Sequence, residues 1–396
     1  MTKDIQKVGK NMGLKVGIVG NYGHNNNGDE AILAGILNQI KGIDGNCDIT
    51  IFSNTPSDTI DRYNLKTQKF KYNKGNTLFS IIYTIGKVYK NLKELDLIII
   101  GGGQLLMDLY SRGPMLYAMY SILGKLAGKT VIYHAVGAGP ISTKIGKFFI
   151  GLGLKNATSI SVRDIQSKEL LDKKYGIGDR IILTADPAFS LENKHNNKEQ
   201  TNKTIGFTTL PYFNGVYWPG ENMDKYNRYI GVLQEIIQKL LDQTDYNILL
   251  FSTTYPADTK SSTDLYNRIN SKNKDRLINR TDNLHPQQLL ETISECDLII
   301  GTRLHSLILA IVGEKPIIGI EYQPKVRNFM ERVGLQDSCF KIDIMEADEI
   351  YNLVTNTMKD SNKYKLAVSK SSQALKQMRE EIDGSLNVLE NVMKNI

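Results

Sequence analysis

The segment Asp297-Leu-Ile-Ile-Gly301-Thr-Arg303-Leu-His305-Ser-Leu307 places an arginine and a histidine two residues apart, just after an apolar run that stops at Gly301. The run has the character of a buried strand and the residues beyond it have helical period, so the segment reads as strand, turn and helix start. In an open α/β sheet that junction lies on the rim outside the carboxyl ends of the strands, where ligands bind. The first turn of a helix adds unpaired N–H groups and the positive end of the dipole, which attract anions. An arginine fork matches a carboxylate or phosphate, and a histidine exchanges a proton near neutral pH. These residue types point to an anion-handling active site.

Similar junctions recur along the chain. Val16 to Gly20, followed by Asn21-Tyr22-Gly23-His24 and Gly28-Asp29-Glu30, reads as a strand, a Gly/Asn-rich loop and a helix start. Gly and Asn tolerate positive φ, so backbone N–H groups can turn toward a ligand. The spacing is neither a dinucleotide fingerprint nor a P-loop. Asp29 and Glu30 suit a helix first turn, whereas Tyr22 and His24 are expected to face a substrate cleft. Ile100-Gly101-Gly102-Gly103 ends another strand, and Gly102 and Gly103 are candidates for close contact with substrate. Asp108, just beyond, either caps a local helix or accepts a proton from a sugar hydroxyl.

Arg163 leaves an apolar strand at the sheet's carboxyl edge, beside Asp164. It either pairs with a neighbouring carboxylate or binds an anionic substrate, and the second role fits its place better. Lys325 follows Glu321-Tyr322-Gln-Pro324 and is expected on the same rim as Arg303 and His305. Of the other histidines, His195 falls in a polar stretch, His285 precedes a helix at Pro286, and His134 occupies a strand, as a satisfied core residue would. Motifs for rival chemistries are missing: there is no DxD, no HExxH and no GxSxG. The pattern is of a small anion handled by side chains, with no metal and no cofactor.

The elements that must position these residues alternate between short β-branched or apolar runs and longer segments of helical period, as in parallel sheets with crossover helices. In the first half, strands are predicted at Lys15–Val19, Asp48–Phe52, Leu97–Ile100, Thr130–Val136, Ser159–Val162 and Ile181–Thr184. The second half repeats the scheme at Thr204–Thr208, Tyr246–Ser252, Arg276–Ile278, Leu298–Ile300 and Pro316–Ile320. Glu94-Leu-Asp-Leu-Ile-Ile-Ile-Gly101 is echoed by Glu295-Cys-Asp-Leu-Ile-Ile-Gly301. The expected class is α/β, with two doubly wound Rossmann-like domains facing a cleft. Residues 14–191 form the first and 204–361 the second, joined by a polar linker over 192–203 and followed by a helical segment over 362–396.

With 396 residues, 41% of them hydrophobic and 23% charged, the chain is long enough for two cores. Cys47, Cys296 and Cys339 lie far apart and form no CxxC pair, which suits reduced thiols in a cytoplasmic protein. The first residues carry no apolar signal core, so export is not expected. No apolar run is long enough to span a bilayer. Thr77–Tyr89, Met115–Leu126 and Ile145–Leu154 come nearest, and read either as core helices or, in part, as a surface touching membrane lipid. A net charge of +7 fits acidic partners. Its lysines lack the aromatic interleaving of a nucleic-acid platform, so no nucleic-acid partner is expected.

Taken in order, Gly20-Asn-Tyr-Gly23 with Gly28-Asp-Glu30, Gly101-Gly-Gly103 with Asp108, Gly137-Ala-Gly-Pro140, Ser161-Val-Arg-Asp164, Ala185-Asp-Pro187, Arg303-Leu-His305 and Tyr322-Gln-Pro-Lys325 resemble the polysaccharide pyruvyl transferase family. The resemblance implies a GT-B-like fold with the acceptor on the N-terminal domain and the donor on the C-terminal domain. It also implies transfer of pyruvate from phosphoenolpyruvate to a sugar, giving a cyclic ketal and free phosphate. The acceptor would belong to a cell-surface polysaccharide or its lipid-linked oligosaccharide precursor, handled in the cytoplasm or at the inner face of the membrane by a monomer or an oligomer. On this reading Arg163, Arg303 and Lys325 hold the anionic groups, Tyr22 stands beside the donor, and His305 protonates the methylene or stabilises the departing phosphate. Asp108 is the candidate base. His24 departs from the aromatic residue that some relatives carry. Two alternatives remain open: a GT-B glycosyltransferase using a nucleotide sugar, and a non-catalytic protein of polysaccharide assembly.

Overall fold

Runs such as Ile98-Ile-Ile100 and Ile248-Leu-Leu-Phe251 are apolar on both faces, and a strand of that kind is stable only where helices cover both sides of the sheet. The computed structural model, which describes residues 13–109, 113–194, 203–215, 218, 220–280 and 282–396, meets this condition in two separate sheets. The first is built from β1 (Lys15–Val19), α1 (Asn27–Ile43), β2 (Asp48–Ser53), α2 (Pro56–Tyr63), β3 (Lys66–Lys69), α3 (Thr77–Lys93), β4 (Leu97–Gly101), α4 (Gly113–Leu126), β5 (Thr130–Val136), α5 (Lys144–Lys155), β6 (Ser159–Val162), α6 (Ile165–Tyr175) and β7 (Ile181–Leu183). Its strands run parallel in the order β3-β2-β1-β4-β5-β6-β7.

The second sheet contains β8 (Thr204–Thr208), α7 (Met223–Gln243), β9 (Asn247–Phe251), α8 (Ala257–Arg268), β10 (Leu277–Arg280), α9 (Pro286–Ser294), β11 (Leu298–Gly301), α10 (Leu304–Val312), β12 (Ile317–Glu321), α11 (Pro324–Arg332) and β13 (Cys339–Lys341). Its order is β10-β9-β8-β11-β12-β13, again all parallel. Helices α12 (Ala347–Lys359) and α13 (Ser361–Lys394) follow. Each sheet reverses its winding once, between β1 and β4 and between β8 and β11, and those switch points are where doubly wound sheets bind ligands.

The repeated Glu-x-Asp-Leu-Ile-Ile segment has a structural reason in each sheet. The Asp96 carboxylate accepts the Lys15 N–H at 2.9 Å, and the Asp297 carboxylate accepts the Thr204 N–H at 2.8 Å. Each aspartate thereby ties the start of the switch-point strand to the first strand of its sheet. The short β3 and β13, and helices α2 and α12, were not anticipated from periodicity. β3 is Lys-Thr-Gln-Lys, mostly exposed and without an apolar signal.

Contacts divide the chain into two units. One comprises the chain up to Gly23, Ile36–Thr184 and Gly384–Ile396; the other comprises His24–Gly35 and Ala185–Asp383. The division at Thr184 lies before the polar stretch assigned as a linker, whose residues 195–202, with His195, fall outside the described residues. Two contacts explain why Ala185 onward belongs with the second unit. A 3-10 turn at Pro187–Ser190 backs onto Gly35 so closely that a Cβ there would meet the Pro187 carbonyl oxygen at 1.9 Å. Arg379 also donates to the carbonyls of Phe189 and Leu191 at 3.1 and 2.9 Å. Among the described residues no helix is long and apolar enough to cross a membrane.

His134 on β5 is the satisfied core residue expected of it: it is 3% exposed, with Nε2 at 2.7 Å from the Gln39 side-chain oxygen. Burial pushes its pKa from 6.5 down to about 4. The unfolded chain therefore binds a proton at His134 that the folded chain refuses between those values, and the resulting stability falls as pH drops from about 6.5 toward 4. The contribution at stake is on the order of 3 kcal/mol. Urea midpoints measured from pH 7 to pH 4.5 should fall more steeply in the wild type than in His134→Gln, which keeps a polar partner for Gln39. Identical slopes in the two proteins would rule out this source of acid sensitivity.

Candidate functional site

The turn from β11 into α10 is fixed from beneath by hydroxyls at the second switch point. Thr208, at the end of β8, takes the Thr302 N–H on its Oγ1 at 3.1 Å, and its carbonyl accepts the Thr302 hydroxyl at 3.0 Å. The same Thr208 hydroxyl lies 2.9 Å from Ser306 Oγ, while Tyr229 reaches Thr302 Oγ1 at 2.9 Å. Thr208, Thr302 and Ser306 are fully buried. A side chain at Gly301 would strike Ser306 and Leu307, so the backbone turns where no Cβ is in the way. This platform presents Arg303 and His305 outward.

Arg303 does not stand alone. Its Nε is 3.0 Å from Asp258 Oδ1, and its Nη2 is 2.5 Å from the same oxygen. Asp258 lies in the first turn of α8, wholly buried, while Arg303 retains 22% side-chain exposure. Burial raises the Asp258 pKa, and the Arg303 charge works against that rise. The second Asp258 oxygen accepts the Thr254 N–H at 3.0 Å. Thr254 is bridged to Asn26, and the Asn27 N–H donates to the Thr253 carbonyl at 2.8 Å. The ion pair therefore also anchors the loop that leads into α1.

That loop brings Gly28 against His305. A Cβ on Gly28 would lie 2.3 Å from His305 Nδ1, so the imidazole occupies space that any other residue would fill. On its other side, His305 Nε2 is 3.7 Å from Asp186 Oδ2, with the side chains 16% and 5% exposed. Asp186 is held by its remaining oxygen, which accepts the Ala188 N–H at 3.1 Å and caps the 3-10 turn. Among the described residues, neither His305 Nε2 nor the side-chain amide of the buried Asn27 has a hydrogen-bond partner. Unsatisfied buried polar atoms are uncommon in folded proteins.

Lys325, in the first turn of α11, is exposed, with Nζ 5.2 Å from the centroid of the Tyr322 ring. Burial of the Tyr322 phenol raises its pKa, but Lys325 and Arg303 together outweigh that and lower it. Tyr322 thus links the two cations, and its ring also stands edge-on to Trp218 at 5.9 Å. Arg303, His305 and Lys325 fall in one unit.

Arg163 lies in the other unit, buried, with Nη2 at 3.3 Å from the Gln104 side-chain oxygen. Its Nε is 3.8 Å from Asp164, a carboxylate occupied in capping α6 through the Ser167 N–H at 2.7 Å. Gln104 is in turn fixed by the carbonyls of Ala138 and Gly139, and a Cβ on Gly137 would crowd both Gln104 and Arg163. Gly102 and Gly103 have φ of 69° and 75°, a left-handed pair that explains two of the three glycines without a ligand.

Two expectations need correction. Tyr22 does not face a cleft: it is 1% exposed, and its hydroxyl donates to the Gly101 carbonyl at 2.6 Å. Its ring fills the space above Gly20, so it secures the first switch point from inside. Asp108 adopts the capping role of the two open to it, accepting the N–H groups of Ser142 and Thr143 at 2.7 and 2.5 Å ahead of α5. Partial burial favours the neutral acid, but these hydrogen bonds prevail and lower its pKa, which weakens it as a base. His24 is exposed and belongs to the second unit. Among the described residues no cluster of three or more His, Cys, Asp or Glu side chains is suited to a metal ion.

Sequence reasoning missed Asp258, Asp186, Gln104 and Tyr322. For Asp258 the usable signal was the need of any rim arginine for a carboxylate, though 45 residues separate it from Arg303. Asp186 was visible as part of Ala185-Asp-Pro187, with no cue to its partner.

A sequence model of the polysaccharide pyruvyl transferase family matches residues 26–324. Amylovoran biosynthesis protein AmsJ of Erwinia amylovora is 24% identical over 378 residues, covering 82% of this chain and 87% of that protein. Among solved structures, Anabaena HepE in complex with UDP and glucose superposes with a TM-score of 0.63 at 13% identity, over 97% of this chain and 100% of that one. A glycosyltransferase from Rickettsia africae gives 0.63 at 14% identity, over 98% and 100%. These structural likenesses establish the fold as GT-B-like.

Asp258→Ala should leave Arg303 without its counter-charge and cost about 3 kcal/mol, the low end for a buried pair because the arginine keeps some exposure. Urea denaturation of Asp258→Leu/Arg303→Met should recover most of that loss. An equal loss in the double variant would assign the stability to packing and not to the ion pair.

Proposed function

Because the chain belongs to the polysaccharide pyruvyl transferase family, which makes it a transferase of polysaccharide biosynthesis, we propose that it moves pyruvate from phosphoenolpyruvate to a pair of sugar hydroxyls. The product is a cyclic ketal on a cell-surface polysaccharide or its lipid-linked precursor, and phosphate is released. The donor is assigned to the second unit and the sugar to the first. One observation carries the reading: a histidine set against a buried carboxylate shares a switch-point rim with Arg303 and Lys325.

Phosphoenolpyruvate carries a carboxylate, a phosphate and an electron-rich methylene. Arg303 and Lys325 orient the anionic groups with charge-assisted hydrogen bonds, and the first turns of α10 and α11 add their N–H dipoles. His305, set beside Asp186, delivers a proton to the methylene, which becomes the methyl group. The central carbon turns electrophilic, one sugar hydroxyl adds, the C–O bond to phosphate breaks, and a second hydroxyl closes the ring. Two hydroxyl protons are released in all: one replaces the proton spent by His305, and the other leaves with phosphate. Arg163 is the first unit's candidate for holding an anionic group. With Asp108 tied to the α5 cap, the departing phosphate is the better acceptor for the remaining proton.

The test is direct. Purified protein is incubated with phosphoenolpyruvate and candidate acceptors while phosphate release and product mass are followed. A phosphate-releasing product carrying a pyruvate ketal is expected, and turnover of a nucleotide sugar with phosphoenolpyruvate untouched would defeat the reading. His305→Ala should lower the rate by about 10²–10⁴-fold with unchanged circular dichroism; a variant of near-normal rate would remove His305 from the chemistry.

Asp186 is a positioning residue in this scheme. Its carboxylate orients the His305 ring, so Asp186→Asn should reduce kcat more than KM. An unchanged kcat would leave Asp186 with only its cap.

A further inference from the structure

We propose that the first unit seats itself on the surface of an anionic lipid bilayer through the first turns of α3, α4 and α5. The main observation is the apolar start of α3. Thr84, Val88 and Leu92, in its later turns, are buried at a spacing of four and face the core. Leu78, Ile81, Ile82 and Ile85 continue the apolar side toward the start of the helix, where they are exposed, Leu78 at 67% and Ile82 at 60%. A helix buries such a stripe where it packs on its sheet, and the first two turns of α3 extend the stripe beyond the cover that the described residues supply. Phe79 extends the stripe at 56% exposure.

The neighbouring helices continue it. α3 packs beside α4, and α4 beside α5. Met115 opens α4 at 40% exposure, and Ile145 and Phe148 open α5 at 62% and 63%. In a parallel sheet the crossover helices run against the strands, so all three begin at the carboxyl edge. The apolar residues therefore gather on the rim that carries Gly101 to Gly103 and Arg163.

Charge identifies the occupant. None of the three helices contains Asp or Glu, while α3 carries Lys87, Lys90 and Lys93 and α5 carries Lys144, Lys147 and Lys155. Lys74 and Lys87 lie 4.8 and 5.6 Å from the Tyr83 ring, and Lys93 lies 4.8 Å from the Tyr89 ring. Lys74 just ahead of α3, and Lys144 and Lys147 in the first turn of α5, border the exposed apolar side chains, as at the interface of a membrane, where tails bury the apolar side chains and headgroups meet the amines. A second copy of this chain would bring the same lysines together, which like-charge repulsion opposes. The inference rests on this surface and not on the transfer reaction.

Vesicle co-sedimentation of the full chain tests it. Binding to phosphatidylglycerol/phosphatidylcholine vesicles should exceed binding to phosphatidylcholine alone by on the order of 10–100-fold and weaken with added salt. Phe79→Ser/Ile82→Ser should lose binding through the apolar side chains, and Lys74→Gln/Lys144→Gln/Lys147→Gln should lose the preference for anionic vesicles. All five side chains are exposed, so both variants should fold. Failure of the wild type to bind anionic vesicles would overturn the proposal. So would a dimer that Phe79→Ser/Ile82→Ser converts to monomer while vesicle binding persists.

Discussion

A carboxylate wholly removed from water must find a cation, and the second unit is organised around that requirement at Asp258. An isolated ionised side chain in an apolar interior costs far more than a protein of ordinary stability can spare. Arg303 supplies the charge through two of its nitrogens, which fixes the guanidinium at the switch point. The other Asp258 oxygen holds Thr254, Thr254 is bridged to Asn26, and two residues later Gly28 lies against the His305 ring. A single desolvated charge thus determines the positions of the arginine, the glycine-rich loop and the histidine.

The two sheets reach their switch points by different means. In the second, the buried hydroxyls of Thr208, Thr302 and Ser306 satisfy the backbone polar groups that a strand leaves behind when its ladder ends. In the first, Tyr22 does the comparable work with one hydroxyl on the Gly101 carbonyl, and its ring closes the space over Gly20. Both arrangements obey the rule that buried polar groups be paired. They differ in what they leave on the rim: the second leaves a partly exposed histidine between a carboxylate and a glycine, and the first leaves the buried turn of Gly102 and Gly103.

Much of this was legible in the residues. Strands such as β5 and β8 were recovered at their full extent because an apolar run bounded by turn residues has one stable setting in a parallel sheet. The echo at Asp96 and Asp297 was also visible, and its cause is that the same hydrogen bond is needed twice. What periodicity could not supply was pairing across sequence. Asp258 and Asp186 lie 45 and 119 residues from the side chains they meet, and no local rule connects them. Tyr22 misled because a tyrosine in a Gly-rich loop suits either a ligand or a carbonyl, and only its burial decides. Asp108 followed the same pattern: its sequence position allowed a base or a cap, and two backbone N–H groups within 2.7 Å settle what it holds.

The pairing of Arg303 changes the electrostatic argument for an anionic substrate. As a free cation it would add a full charge to the rim; against Asp258 it adds mainly direction, a rigid fork with hydrogen-bonding capacity still accessible. Asp186 similarly offsets any charge on His305. On the proposed reading, the net attraction for an enol phosphate in this unit would come from Lys325 and from the helix N-termini of α10 and α11, whose dipoles carry partial positive charge. Such an arrangement separates two demands that conflict in a site built from free cations alone. Holding a multiply charged donor would require positive potential, whereas cations set close together on one rim repel one another. Asp258 damps that repulsion, so an arginine and a lysine can share the rim with the His305 ring.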